Sequence, residues 1–411
     1  MSHPSILVVG GGAAGMMTAV TAARAGAPVT VLERLDRVGK KLLSTGNGRC
    51  NLTNVHFEGK NFHGGCPGFA VDVVHRFPPA KTMEFFESLG LLCSVEEGGL
   101  VYPACGQASA VLDVLRFEMD RLGVKVHGDA EIQRVSPGRN GFEARVKDGR
   151  AFSGDRLVLA AGGKAAPNLG SNGSGFEIAK ALGHRLVEPI PGLVQLNLSA
   201  PFLKHVDGVK FNGSAAVTVD GRVLREESGE ILFTSYGISG IPILQLGRVA
   251  GEMLHNKKEV FLDLRFFPSM KTEDVSAMVA DRLRRRPDRS AEEAMIGTVN
   301  KKLIGPLLRT AGIERAGEPC GRVTEEQVRR LSALLSRWRF PVTGTQGWLR
   351  AQVTSGGVDT AEIDPQRMES KIVPGLFLAG EIIDVDGDCG GYNLQWAWSS
   401  GRIAGLHAAA Q

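Results

Sequence analysis

The stretch ILVVGGGAAG at residues 6–15 decides the fold of this chain. Ile6 to Val9 form a short apolar run, typical of a parallel strand that is covered on both faces. The small residues from Ala13 onward favour a helix that ends at Gly26, and residues 29–32 read as a second strand. The sequence therefore predicts a βαβ unit.

The spacing of Gly10, Gly12 and Gly15 matches the G-x-G-x-x-G pattern of dinucleotide-binding proteins. The first glycine makes a tight turn, the second lets the backbone approach a diphosphate, and the third lets the helix pack closely on the strand. Glu33 ends the second strand, where a carboxylate accepts a hydrogen bond from a ribose 2′-hydroxyl and repels a 2′-phosphate. We therefore expect an adenine dinucleotide here.

The loop that follows Glu33 is rich in glycine, cations and short polar side chains. Lys40, Lys41 and Arg49 are candidates to neutralise a diphosphate, while Gly46 and Gly48 allow a close approach of the backbone. The alternative is a solvated surface loop.

Composition describes an ordinary globular protein of 411 residues, with 43% hydrophobic and 22% charged residues. The formal net charge of +4 gives no reason to expect nucleic acid or a membrane as a partner. No secretory signal and no apolar run of membrane-spanning length is visible, so we expect a cytoplasmic protein. The six scattered cysteines form no C-x-x-C pair and are expected to be free thiols.

The domain organisation follows from a change in pattern near residue 192. Short strands up to about residue 270 predict a small β-barrel or sandwich, and helical patterns cover about 271–341. We therefore expect an inserted domain at 192–341 between two parts of one binding domain, 1–191 and 342–411. The loop at 170–175 lacks a phosphate-binding pattern, so no second dinucleotide fingerprint is present.

The glycine pattern, Glu33 and the segment GRCNLTN at residues 48–54 resemble FAD-binding flavoproteins of the aminoacetone-oxidase-like family, which also contains bile-acid-pathway reductases. The resemblance covers nearly the whole chain and implies a glutathione-reductase-type FAD fold. It implies that an acid, here Glu381 in place of the usual Asp, bonds the flavin ribityl chain. It also implies that a segment like Tyr102-Pro103 lies near the flavin, although a simple turn is the alternative.

The family resemblance also marks a departure at Ser235, where family members commonly carry His. If that His binds substrate or transfers a proton, the substrate or activity of this chain differs.

The last helix follows a segment with Asp384, Asp386 and Asp388. This spacing resembles a calcium loop, but Cys389 and Gln395 stand where that loop needs glycine and glutamate. We instead expect the N–H groups near residues 391–394 to face the flavin N1 and C2 carbonyl and to stabilise the charge of the reduced ring. A purely structural helix cap is the alternative.

The expected fold class is therefore α/β, a Rossmann-like FAD-binding domain of glutathione-reductase type interrupted by an inserted β-barrel plus a small helical domain. The expected cofactor is FAD, with NAD(P)H a candidate transient electron donor and no metal. The residues expected to bind FAD are Gly10, Gly12, Ala13, Ala14, Gly15, Glu33, Arg34, Lys40, Lys41, Gly46, Gly48, Arg49, Cys50, Asn51, Ile132, Ala161, Gly162, Gly380, Glu381, Gly391, Tyr392, Asn393 and Leu394.

The expected function is an FAD-dependent oxidoreductase that transfers a hydride between flavin N5 and a small molecule, either an aminoacetone-like amine or an enone-type compound. Two alternatives are an FAD-binding RNA-modification enzyme and a flavin-binding module without turnover. Tyr392, Asp384 and Asp386 are catalytic candidates by position only, and we expect the two acids to be solvated. The sequence does not fix the substrate, the electron acceptor, the catalytic acid or base, or the oligomeric state.

Overall fold

A computed structural model of the chain describes residues 3–139 and 141–411. They divide into two compact units, the first ending at Pro191 and resuming at Ala351–Gln411, and the second spanning Gly192–Arg350. The second boundary lies beyond the expected residue 341, because Trp338–Thr345 is a strand that pairs within the second unit. Among the described residues, no helix is long and apolar enough to cross a membrane.

The first unit begins with a mixture of strands and helices. Its strands before the insertion are β1 (Ile6–Val9), β2 (Val29–Leu32), β3 (Thr53–Asn54), β4 (Phe62–His63), β5 (Cys93–Val95), β6 (Leu100–Pro103), β7 (Lys125–His127), β8 (Ile132–Gly138), β9 (Gly141–Val146), β10 (Ala151–Gly154), β11 (Arg156–Leu159) and β12 (Leu186–Gly192). Its helices there are α1 (Ala13–Arg24), α2 (Pro67–Arg76), α3 (Pro79–Ser88), α4 (Ala108–Arg121) and α5 (Ser174–Ala181).

The second unit contains a barrel and a group of helices. Its strands are β13 (Leu196–Leu198), β14 (Lys210–Val219), β15 (Arg222–Thr234), β16 (Gly237–Ser239), β17 (Val260–Arg265) and β18 (Trp338–Thr345). Its helices are α6 (Leu203–Val206), α7 (Ile241–His255), α8 (Thr272–Arg285), α9 (Ala291–Met295), α10 (Lys301–Thr310) and α11 (Glu325–Ser336).

The strands of the second unit form a closed barrel in the order β13-β16-β15-β14-β17-β18. The sequence left a barrel and a sandwich open, and the structure has the barrel. Helix α7 was not expected from the sequence; it packs on β14 and β15. Within the stretch of helical patterns, α9 and α10 are separate helices, and Gly297 at φ +87° lies in the break between them.

The first unit resumes with β19 (Val353–Val358), β20 (Leu376–Leu378), β21 (Asp386–Gly387) and α12 (Tyr392–Ala408). Its central sheet has the order β20-β11-β1-β2-β7, and all four pairings are parallel. Helix α12 contacts α1, β11 and β20. The predicted βαβ unit and the Rossmann-type fold class are confirmed.

Candidate cofactor-binding site

The glycine turn after β1 is shaped by close backbone packing. Gly10 has a φ of +105°, and a Cβ there would lie 2.4 Å from the Ala160 carbonyl oxygen. A Cβ at Gly15 would lie 1.9 Å from the Gly10 carbonyl oxygen, so both positions require glycine. A Cβ at Gly12 would meet no atom within 4 Å. Gly12 therefore faces open space at the start of α1, which no side chain caps.

Glu33 stabilises this turn through direct hydrogen bonds to the backbone. Its two carboxylate oxygens accept hydrogen bonds from the backbone N–H groups of Gly11 and Leu35, each at 2.8 Å. Each oxygen keeps a second lone pair, so a ribose hydroxyl can still donate to it. The next residue, Arg34, has a buried Nε atom that no other described group hydrogen-bonds. An orphaned buried donor beside the turn fits a polar ligand in this position.

The three cations expected to neutralise a diphosphate are already paired with carboxylates. The pairs are Lys40 with Asp36, Lys41 with Glu381 and Arg49 with Glu96. The attraction for an anion at the start of α1 therefore depends mainly on unpaired helix N–H groups and on the helix dipole.

The end of β11 and the start of β8 reach the same region. Ala161 lies beside the turn, since its Cα would be 2.8 Å from a Cβ at Gly10, and Gly162 follows with a φ of +71°. Ile132 is buried and follows Ala130, whose N–H donates to the Glu33 carbonyl oxygen at 2.8 Å. The residues expected to surround the adenosine half of a dinucleotide are thus brought together.

The start of α12 is a second uncapped helix terminus. Gly391 precedes the helix with a φ of +99°, and its carbonyl oxygen accepts the first helical bond, from Gln395 N–H at 3.0 Å. The N–H groups of residues 392–394 come before this first bond and therefore have no partner within the helix. The Asn393 side chain spans the Gly387 N–H and carbonyl groups at 2.8 and 2.7 Å, which fixes the preceding turn.

The GRCNLTN segment docks on the start of α12. The Asn51 amide accepts from Gly391 N–H at 3.2 Å and donates to the Thr53 carbonyl oxygen at 3.0 Å. The Asn54 amide donates to the Gly390 carbonyl oxygen at 3.1 Å. Cys50, in contrast, is fully buried in the left-handed region at φ +60°, and burial raises the pKa of its thiol to about 12. Its sulfur is therefore a neutral packing group.

The two glycines of this loop differ in their surroundings. A Cβ at Gly46 would lie 2.8 Å from the Asn51 nitrogen, whereas one at Gly48 would meet no atom within 4 Å. Gly46 is thus required for the packing of the loop, and Gly48 lies in open space.

Helices α1 and α12 pack side by side in the same direction. A Cβ at Gly401 would lie 2.5 Å from the Ala14 carbonyl oxygen, and one at Gly405 would lie 2.6 Å from the Thr18 carbonyl oxygen. Tyr392 precedes Gly401 by nine residues, whereas Ala13 precedes Ala14 by one. The start of α12 is therefore about eight residues, or roughly 12 Å, ahead of the start of α1.

Glu381 follows a point of contact between these two helices. A Cβ at Gly380 would lie 2.7 Å from the Ala14 Cβ, and Trp396 Nε1 donates to the Gly380 carbonyl oxygen at 3.0 Å. The Glu381 carboxylate accepts from Thr354 N–H at 2.6 Å as well as from Lys41. A helix start, a carboxylate and a second helix start are thus arranged along one side of the sheet. Thr354 was not among the residues expected at the site, because its contact with Glu381 is made by a backbone N–H group, which the residue type does not reveal.

The acidic segment before α12 is buried, contrary to the expectation that its acids are solvated. Asp384 and Asp386 are only 2% and 3% exposed, and Asp384 accepts from Gly65 N–H at 2.7 Å. The reason is that β21 pairs with β4, a strand from more than 300 residues earlier. That pairing also brings His63 to 2.8 Å from an Asp388 oxygen, a contact without a sequence signal.

Ser235 lies in the second unit, in the turn between β15 and β16. Its side chain is exposed, and its N–H donates to an Asp207 carboxylate oxygen at 3.0 Å. It therefore belongs to a turn of the barrel.

Comparisons with known proteins extend over nearly the whole chain. The family model described as HI0933-like protein Rossmann domain matches residues 4–407. A 3-dehydro-bile acid delta(4,6)-reductase of Clostridium scindens is 40% identical over 405 residues, which cover 98% of each chain. A ribosomal RNA dihydrouridine synthase of Escherichia coli is 30% identical over 405 residues, covering 97% of this chain and 96% of that protein.

One solved structure supports the fold alone. A 3-ketosteroid delta1-dehydrogenase from Sterolibacterium denitrificans aligns with a TM-score of 0.52 at 13% identity, and the alignment covers 99% of both chains.

Proposed function

Because this chain belongs to the HI0933-like Rossmann-domain family, we propose that it is an FAD-dependent reductase of a carbon–carbon double bond conjugated to a carbonyl group. The observation that carries the cofactor assignment is the pair of uncapped, parallel helix starts, offset by roughly 12 Å along the helix axis, together with Glu381 next to the contact between the two helices. The predicted oxidoreductase class agrees with the full-length match to a reductase.

The residues present fit FAD from one end to the other. Gly12 and the first turn of α1 would hold the diphosphate, with Glu33 and Arg34 at the adenosine. Glu381 would accept from the ribityl hydroxyls, and the start of α12 would face the polar edge of the isoalloxazine ring. When bound, FAD supplies a hydride acceptor and donor at N5. The N–H groups of α12 would stabilise the negative charge that the reduced ring carries.

The choice of substrate class comes from what the named relatives have in common. A 3-oxo bile acid with double bonds at positions 4 and 6 and the uracil ring of uridine both present a carbon–carbon double bond conjugated to a carbonyl group. Both named reactions are reductions of that group, which favours the enone alternative over the amine. The higher identity to the bile-acid enzyme over the same span favours a small, steroid-like enone.

The test begins with the visible absorption spectrum of the freshly purified protein and with chromatography of the compound that heat releases. We expect a flavin spectrum and FAD. Anaerobic addition of NADPH or NADH should then bleach the flavin, and a 3-oxo steroid with double bonds at positions 4 and 6 should restore its colour. A protein that stays colourless and cannot be reconstituted with FAD would contradict the proposal.

A second candidate is the reduction of uridine in ribosomal RNA, which two relatives at 30% and 28% identity favour. Charge is distributed unevenly between the two units. Residues 192–350 contain 24 Lys and Arg residues and 18 Asp and Glu residues, whereas the rest of the chain contains 24 and 26. The expectation of no nucleic-acid partner is therefore not confirmed. Unmodified ribosomal RNA, incubated with protein and NADPH and digested to nucleosides, should contain dihydrouridine if this candidate is right, and binding should weaken steeply with salt.

A further inference from the structure

Building on the proposed reductase function, we propose that Tyr102 donates the proton that accompanies the hydride and that Arg49 positions its ring. Tyr102 lies on β6, next to the GRCNLTN segment, because Val101 of this strand pairs with Thr53 of β3. Tyr102 is not among the residues expected to bind FAD.

The ring of Tyr102 lies beside the turns that border the start of α12. Its Cε1 atom is 3.2 Å from the position of a Cβ at Gly46. Leu100 projects from the same face of β6, two residues away, and its Cδ2 atom is 3.6 Å from the position of a Cβ at Gly390. The ring thus lies beside the Gly46 turn, and its neighbour on the strand, Leu100, lies beside the Gly390 turn, which precedes the helix start assigned to the isoalloxazine.

Arg49 holds this ring in place. Its guanidinium carbon lies 4.0 Å from the centroid of the Tyr102 ring, which is within the range of a cation–π contact. The guanidinium is in turn bound by both carboxylate oxygens of Glu96. A planar cation fixed by two hydrogen bonds restricts the ring more strongly than a single flexible contact would.

The hydroxyl of Tyr102 differs from that of Tyr392 at the same end of the unit. Tyr392 donates its proton to the His56 carbonyl oxygen at 3.0 Å. Within the two described stretches of chain, no group hydrogen-bonds to the Tyr102 hydroxyl, and its side chain is partly exposed. The Tyr102 proton is therefore available to a ligand, whereas the Tyr392 proton is engaged in the fold.

Reduction of the enone requires one hydride and one proton, and Tyr102 supplies the proton. The β-carbon of the enone receives a hydride from the reduced flavin, which a dihydronicotinamide regenerates. The π electron pair moves to the α-carbon, where a new C–H bond forms as the O–H bond of Tyr102 breaks. The phenolate then recovers a proton from solvent. The substrate gains two hydrogens and two electrons, and the dihydronicotinamide loses the same two electrons.

The surrounding charges suit a proton donor. Burial raises the pKa of Tyr102, Arg49 lowers it, and Glu96, Cys389 and Cys50 raise it further. The phenol is therefore protonated at neutral pH, and Arg49 is the cation placed to stabilise the phenolate as it forms. A positioned general acid of this kind contributes about 10²–10⁴-fold to a rate.

The test compares the two half-reactions of Tyr102→Phe with those of the unaltered protein loaded with FAD. We expect unchanged flavin reduction by NADPH and reoxidation by the enone slowed by about 10²-fold or more. A readout that needs no turnover is the fluorescence of bound oxidised FAD. It should increase in the variant, because a phenol next to the ring quenches the excited flavin by electron transfer and a phenyl group does not.

Arg49→Gln tests the positioning role. Because Arg49 is already paired with Glu96 and is not needed to neutralise the diphosphate, we expect FAD content close to that of the unaltered protein. We also expect a smaller loss in the rate of reoxidation than in Tyr102→Phe, and an altered pH dependence of that rate. Arg145→Gln is the matched control, because Arg145 forms a comparable exposed pair with Glu143 at 3.0 Å on a strand outside the site. Equal effects of the two arginine substitutions would contradict the positioning role.

The outcomes separate this inference from the function on which it depends. If the unaltered protein binds no FAD or reduces no enone, the proposed function fails. If it reduces the enone and Tyr102→Phe does so at the same rate, the proton-donor role is overturned, whatever the fluorescence. Slow reoxidation together with brighter flavin and unchanged reduction by NADPH supports the role.

Discussion

The two helix starts of the candidate site both lack a side-chain cap, but different contacts hold them in place. The start of α1 is shaped by backbone contacts among Gly10, Gly15 and the neighbouring strand, all within one compact motif apart from Ala160. The start of α12 is held by side-chain amides, including that of Asn51, which lies 340 residues earlier in the chain. A terminus made by backbone packing leaves one continuous motif, whereas one held by remote side chains divides its signal between two distant segments whose contact the spacing does not reveal.

The largest effect should come from filling the backbone contact under α1. In Gly15→Ala the new Cβ would lie 1.9 Å from the Gly10 carbonyl oxygen, so helix and strand must move apart. We expect the free energy of unfolding to fall by about 3 kcal/mol or more, measured by urea denaturation of the cofactor-free protein. A loss below about 0.5 kcal/mol would show that the helix is not fixed by this contact.

The next effect separates folding from binding at the same terminus. In Gly12→Val the side chain enters open space at an ordinary φ of −79°, so the cofactor-free protein should keep most of its stability. The valine would occupy the place of the diphosphate, and we expect FAD binding to be lost, measured by flavin content after reconstitution. If the variant retains stoichiometric FAD, the assignment of the diphosphate to this turn is wrong.

The same difference between local and remote contacts determines which features of the fold and the site could be predicted from the sequence. The βαβ unit, the Rossmann-type fold and the insertion follow from periodicity and glycine spacing, which are local. The burial of Asp384 and the ion pairing of Arg49 do not, because each depends on a partner segment that only the folded sheet brings near. Residues 342–345 were likewise expected in the second part of the binding domain, because only the pairing of β18 with β13 and β17 identifies them as the end of a barrel strand.

A smaller effect is expected at the start of α12. Asn51→Ala removes the acceptor of Gly391 N–H and the donor to the Thr53 carbonyl oxygen. We expect FAD to bind about tenfold more weakly, since lost hydrogen bonds of this kind cost roughly 1–2 kcal/mol, and the flavin to become harder to reduce. Fluorescence titration and the reduction potential measure the two. Unchanged values of both would mean that the remote amide does not shape this terminus.

The smallest effect concerns the far end of α1, where Arg24 binds Glu118 of α4 at 2.7 Å. Hydrogen bonds from Arg121 and Arg24 lower the pKa of Glu118 from 4.5 to about 2, although burial opposes them. Since the folded pKa is below the unfolded value, the stabilisation is complete above pH 4.5 and is lost as the pH falls toward 2.

Glu118→Gln should therefore reduce stability by about 1 kcal/mol at neutral pH and flatten its decline in acid, measured by urea denaturation across pH. FAD affinity should not change, because Arg24 ends α1 and the diphosphate is assigned to its first turn. A matching loss of FAD affinity would mean that the binding terminus depends on the anchoring of the whole helix. The contrast between a locally built and a remotely built helix start would then no longer hold.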